Sequence, residues 1–147
     1  MSVRDYGGSR ASHAHDHFQV LVGLHGVLEL EVEGRGQRVG AGQGVVVAPG
    51  DRHDFEAAGG GSRCLVLDTA DPAWAARAGQ GPVDARVGAL ARYLALSLET
   101  CLAPALALQQ GPALLREAWG PREAIAGGRA IDWTTLAGWL RVRWHLP

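Results

Sequence analysis

From Ser12 to Leu67 the apolar positions come in short packets separated by turn-forming residues. The run His17-Phe18-Gln19-Val20-Leu21-Val22 is rich in β-formers and is followed by Gly23 and Gly26, which predicts a strand over residues 12–24. Residues 27–33, VLELEVE, alternate strictly. Leu28, Leu30 and Val32 share one face and Glu29, Glu31 and Glu33 the other, as in a strand half on a core and half in water. Gly34-Arg35-Gly36 then turns the chain, and Gln37 to Val39 starts a return strand, which makes a hairpin. Val45-Val46-Val47, His53 to Ala57 and Arg63 to Leu67 continue the series. They are divided by Gly40–Gly44, by the tight turn Pro49-Gly50-Asp51 and by Gly59-Gly60-Gly61. Strands this short and closely spaced predict a sandwich or barrel. Residues 1–11 are polar and glycine-containing and read as a disordered tail, with an arm folded over a pocket as the alternative.

After Thr69 the period changes. Asp71-Pro72 opens a turn or short helix through Ala78, and Gly79-Gln80-Gly81-Pro82 reads as a linker. From Val83 the apolar residues fall at 83, 87, 90, 94 and 98, which is helical spacing, with Pro82 placed near the start. A second helical stretch is expected after Pro104 and a third from Pro112 to Trp119, closed by Gly120. A loop over 120–130 leads to Asp132 as an N-cap and a last helix from Trp133 to Leu146. Its apolar groups lie on more than one face, so it wants more than one neighbour. The chain stops at Pro147 directly after it, which raises the expectation of a further segment.

Composition adds bounds. A hydrophobic content of 47% with 20% charged residues is that of an ordinary globular protein able to bury a core. A formal net charge of −1 gives no global pull toward nucleic acid. The start, MSVRDYGGSR, lacks the apolar segment of a secretory signal, and no run approaches the length needed to span a bilayer. Cys64 and Cys101 are far apart in sequence, which favours a reducing, cytoplasmic compartment over a disulfide framework. Gly34-Arg35-Gly36 lies between strands and opens no helix, so it is no dinucleotide fingerprint.

The chemistry lies at the two ends of the strand-rich segment. His13, His15, His17 and Gln19 recur at every second residue, and a strand would turn all four to one face. Buried imidazoles need partners, and a divalent transition metal such as Zn, Ni or Fe is one solution. His53, brought round by the Pro49-Gly50 turn, could complete the set. A polar pocket or surface strand without metal is the plainer alternative. His17 would crowd His15 and reads as a rim residue, His25 as solvent-facing, Cys64 as a buried small hydrophobe, and His145 as a favourable charge at a helix end.

The spacing His13-x-His15-x3-Gln19-x6-Gly26 resembles the first motif of the cupins, with Gln19 where that family has Glu. Pro49-Gly50-x2-His53 resembles the core of their second motif, although the family's later Asn falls near Ala57 here. The resemblance implies a mainly β cupin barrel, a double-stranded β-helix, with His13, His15, Gln19 and His53 at the metal positions and a C-terminal group of α-helices. A barrel, a few helices and then IDWTTLAGWLRVRWHL is similar to the N-terminal half of AraC-type transcription regulators. That implies an arm plus barrel over residues 1–69 and a helical dimerisation or linker region over 70–147, ending before any DNA-binding domain. It also implies a small-molecule effector and a homodimer through the helices, with no direct nucleic-acid contact by this chain and no membrane. A small metal-dependent cupin enzyme, a dioxygenase or isomerase, is the alternative, and a metal-free carbohydrate-binding barrel a third. An enzyme needs an acid near the metal, and Glu29, Glu31 and Glu33 alternate away from the apolar face.

Overall fold

A computed structural model describes residues 1–9, 11–81 and 84–120 of the protein. The expected last helix over 133–146, the loop before it, His145 and the proposed helix start at Pro82-Val83 lie outside the described residues. Two antiparallel sheets face one another. The larger runs in the order β1 (Ser2–Tyr6), β7 (Ser62–Thr69), β2 (Phe18–His25), β5 (Gly44–Val47) and β8 (Gly79–Gln80). The smaller has β3 (Leu28–Val32) between β4 (Arg35–Val39) and β6 (His53–Ala57).

The two hydrophobic periods of the sequence build two cores. Between the sheets, Leu21, Leu28, Leu30, Val39, Val45, Val47, Phe55, Cys64 and Val66 pack together. The alternate residues of the large sheet, Val20, Val22, Val46, Leu65 and Leu67, point the other way and meet the helices through Val87, Ala91, Leu94, Leu115 and Trp119. The large sheet is therefore covered on both faces, which is why its strands read as continuous apolar runs. The small sheet has one covered face, and VLELEVE shows the matching alternation. Helix α1 (Ala85–Glu99) starts at an N-cap, Asp84, whose side chain accepts from the Arg86 N–H. Helix α2 (Pro104–Trp119) packs beside it, and a 3₁₀ turn over Pro72–Arg77 carries the buried Trp74 to the ring of Trp119.

Four expectations outside the histidine-bearing arm change. The first residues are no disordered tail: β1 pairs along β7 from Ser2 opposite Val66 to Tyr6 opposite Ser62. The β3–β4 hairpin turns at Glu33-Gly34, one residue earlier than expected. Both of these residues have positive φ (49° and 77°), as a two-residue turn of this hand requires, and β4 starts at Arg35. Pro112 does not open a third helix but lies inside α2, where it removes one N–H from the helix ladder. The expected linker at Gly79-Gln80 adds a short strand on β5.

Candidate metal centre

The strand expected over residues 12–24 begins only at Phe18. Residues 11–17 instead run as an irregular arm, pinned by an isolated bridge between His13 and His53. The His13 N–H donates to the His53 carbonyl at 3.0 Å and the His53 N–H to that of His13 at 2.8 Å. A further bond from the Gly50 N–H to the His15 carbonyl, 2.8 Å, ties the arm to the Pro49-Gly50 turn. The chain thus brings His13 and His15 to His53 by backbone hydrogen bonding, without the strand parity that the sequence suggests.

The imidazoles of His13, His15 and His53 each place a ring nitrogen within 4.8 Å of the others. Every one is held through Nδ1 by a main-chain carbonyl. His13 Nδ1 meets the Ala11 oxygen at 3.3 Å, His15 Nδ1 that of His17 at 3.1 Å, and His53 Nδ1 that of Asp51 at 2.9 Å. A carbonyl can only accept, so each contact puts a proton on Nδ1, and in a neutral ring the Nε2 lone pair is then free. For His15 and His53 that Nε2 is buried and has no hydrogen-bond partner in the protein. His53 is only 1% exposed, and burial, with the neighbouring His13 and His15, keeps its pKa below the ordinary imidazole value. The neutral form, the one that binds a metal, is favoured there.

Gln19 lies on β2 with Leu21 on the inner face and is 5% exposed. Its Nε2 donates to Asp68 Oδ1 at 3.1 Å, and its Oε1 is buried without a partner. The expected ligand set therefore comes from three places: the arm, the large sheet and the small sheet. His17 stays outside the trio. Its ring stacks on His15 at 4.1 Å and 9°, and its Nε2 lies 3.3 Å from Asp68 Oδ1.

A cavity of about 390 Å³ opens beside this cluster, with Arg4, Tyr6, His13, Gln19, Asp54 and Phe55 among its lining residues. That is the size of a small-molecule site. Burial, with a contribution from Cys64, pushes the Tyr6 phenol up to about 12, so it stays a proton donor. The sequence reading missed Arg4, Tyr6 and Asp68. Asp68 shares parity with Cys64 and Val66, a signal present in RCLVLD, whereas the more conspicuous acids, the glutamates of β3, alternate away from the core. It is no ready proton donor. Burial pushes its carboxyl up, but Arg4, with Gln19 and His17, outweighs that and holds it below the usual carboxylate range.

A sequence model of the family described as the AraC-like ligand binding domain matches residues 2–120. The chain belongs to that family. The mainly β barrel with C-terminal helices is of the cupin type that the family shares. Among solved structures, a cupin-2 domain protein from Shewanella frigidimarina is 20% identical, with a TM-score of 0.41, over 44% of this chain and 63% of its own. The Cnp3 cupin domain of Schizosaccharomyces pombe is 15% identical, with a TM-score of 0.44, over 47% of this chain and 53% of its own. KdgF from a Halomonas species is 22% identical, with a TM-score of 0.41, over 47% and 70%. The chain thus spans less than two thirds of the first two of these proteins. No curated protein matches the sequence. No helix among the described residues is long and apolar enough to cross a membrane.

Proposed function

We propose that this AraC-like domain is a cytoplasmic sensor in which His13, His15, His53 and Gln19 hold a divalent transition metal, Zn, Ni or Fe, next to an effector cavity. One observation carries the reading: three imidazoles converge with Nδ1 tied to main-chain carbonyls, and two of their Nε2 atoms are buried without partners. Buried acceptors left unpaired cost about 1–3 kcal/mol each, and a metal bound through them removes that cost. Three neutral nitrogens and an amide oxygen suit these metals better than Mg or Ca. Bound there, the metal would supply a Lewis-acidic contact for an oxygen or nitrogen of the effector. The protein's own groups orient the rest of that molecule: the Tyr6 hydroxyl as donor, the Phe55 ring as an apolar wall and the Arg4 guanidinium as a charge.

The exposed Tyr93, Leu96, Leu102, Leu106 and Leu114 on and beside α1 and α2 support homodimerisation through the region 70–147. In this reading the effector shifts the population of barrel and arm conformations, and the helices pass that bias to a partner domain. The enzyme alternative finds no support in Asp68, whose carboxyl is held ionised by Arg4.

The test is elemental analysis and calorimetric titration of the protein with Zn²⁺, Ni²⁺ and Fe²⁺. The expected result is one metal per chain for the natural sequence and a loss of affinity of 100-fold or more in His53→Ala. Absence of stoichiometric binding for all three ions would overturn the proposal.

A further inference from the structure

The geometry points to Asp68 as the positioning residue of this centre, which sets the Gln19 amide with Oε1 toward the ligand side; this rests on the metal reading above. A glutamine amide has two ends of nearly equal shape, and only its partners decide which atom faces which way. Asp68 is the residue directly opposite Gln19 in the β2–β7 register. An ionised carboxylate can only accept, so its 3.1 Å contact must be with Nε2. Oε1 is then turned away from Asp68, where it is buried and unpartnered in a side chain that shares the cavity wall with His13.

Asp68 is itself fixed. It forms an ion pair and hydrogen bond with Arg4 of β1, and its Oδ1 also faces His17 Nε2 at 3.3 Å. His17 stacks on His15, so Asp68 touches the candidate ligand set by two routes. The same contact explains why glutamine stands where a carboxylate could. A glutamate at this position would set two like charges against each other on adjacent strands. In this chain the negative charge sits one residue back from the ligand position and acts through a neutral amide.

The experiment measures Co²⁺ affinity by chelator competition and the visible Co²⁺ spectrum on the full chain. Folding of each variant is checked by circular dichroism. Asp68→Ala is expected to weaken Co²⁺ binding about 10- to 100-fold and to change the spectrum. Gln19→Glu alone is expected to bind no better than the natural sequence, because Asp68 opposes the new carboxylate. Gln19→Glu combined with Asp68→Asn is expected to bind at least as tightly as the natural sequence, since the hydrogen bond is restored with its polarity reversed. That pair nearly conserves shape, so it remains informative if Asp68→Ala does not fold. If Asp68 serves only to anchor β1, Arg4→Ala will match Asp68→Ala and the paired variant will show no rescue, which overturns the inference. An unchanged affinity and spectrum in Asp68→Ala does the same while leaving the metal reading intact. Failure of the natural sequence to bind Co²⁺ removes both.

Discussion

Replacing Gly44 with alanine tests how the helices are keyed to the barrel. Gly44 opens β5, and the six-membered ring of Trp119, the last residue of α2, lies directly over it. A Cβ at Gly44 would sit 2.2 Å from Trp119 Cη2, 2.7 Å from Cζ3 and 3.0 Å from Cζ2. Carbon contacts settle at ~3.5–4.0 Å, so the ring has to retreat by roughly 1.5 Å. It has little room to do so. A Cβ at Gly81 would lie only 2.4 Å from Trp119 Cζ2, and Trp74 packs edge-on at 5.7 Å and 81°. Overpacking of this kind costs about 1–3 kcal/mol, and losing a buried tryptophan about 3–5. We expect Gly44→Ala to cost about 2–3 kcal/mol, which for a chain of this size lowers the melting temperature by about 6–9 °C. The assay is urea and thermal unfolding followed by far-UV circular dichroism, because the fluorescence of a tryptophan protein changes with the mutation itself. The decisive measurement is the double-mutant cycle. In a Trp119→Ala background the added methyl enters space the ring has left, and its cost should fall below about 0.5 kcal/mol. An equal cost in both backgrounds, or a neutral Gly44→Ala, refutes the packing argument.

Three further outcomes are expected. On the outer face of the small sheet Glu29 stands opposite Glu56 and Glu31 opposite Asp54, so Glu56→Lys should stabilise by about 0.2–1 kcal/mol, a gain that 1 M salt reduces. His53 has a folded-state pKa below its unfolded value of about 6.5, so below that pH the unfolded chain binds more protons. Metal-free protein should therefore lose stability as pH falls from about 7 through 6.5 until the folded-state pKa is passed, and His53→Gln should flatten that slope in a chemical-denaturation series. Cys101 is exposed, whereas Cys64 is fully buried with its thiol pushed up by burial, so a thiol reagent at pH 8 should modify one cysteine in the native protein and both in urea. Two fast equivalents in the native state would contradict the buried placement.

The sequence was most readable where one strand decides its own environment. The alternation of VLELEVE and the turn before His53 place Leu28, Leu30 and His53 inside from local pattern alone. What stayed hidden depends on partners far along the chain. Residues Ser2–Tyr6 form a strand because β7, some sixty positions later, offers an edge, and nothing within SVRDY announces that edge. His13 and His15 reach His53 through backbone bonds of an arm that is not a strand, so parity pointed to a cluster for a reason the structure does not share. Parity alone puts His17 on the same face, its place outside the motif makes it a rim residue, and the arm's path lays that ring flat against His15 with its Nε2 on Asp68. Asp68 carried a readable signal, but its importance follows from the register opposite Gln19, which no single strand contains.

The bridge between His13 and His53 has a consequence for the order of events in folding. It closes a loop of about forty residues, and the three converging imidazoles come from the arm and β6. Such a closure is entropically costly and forms only once long-range strand pairing is in place. A nascent or unfolded chain presents its histidines singly and holds no assembled site. Any ion that the cluster takes up would thus be chosen after the barrel has closed, from whatever the surrounding pool offers a finished pocket, and would hold the arm to the small sheet from a position no local segment could occupy.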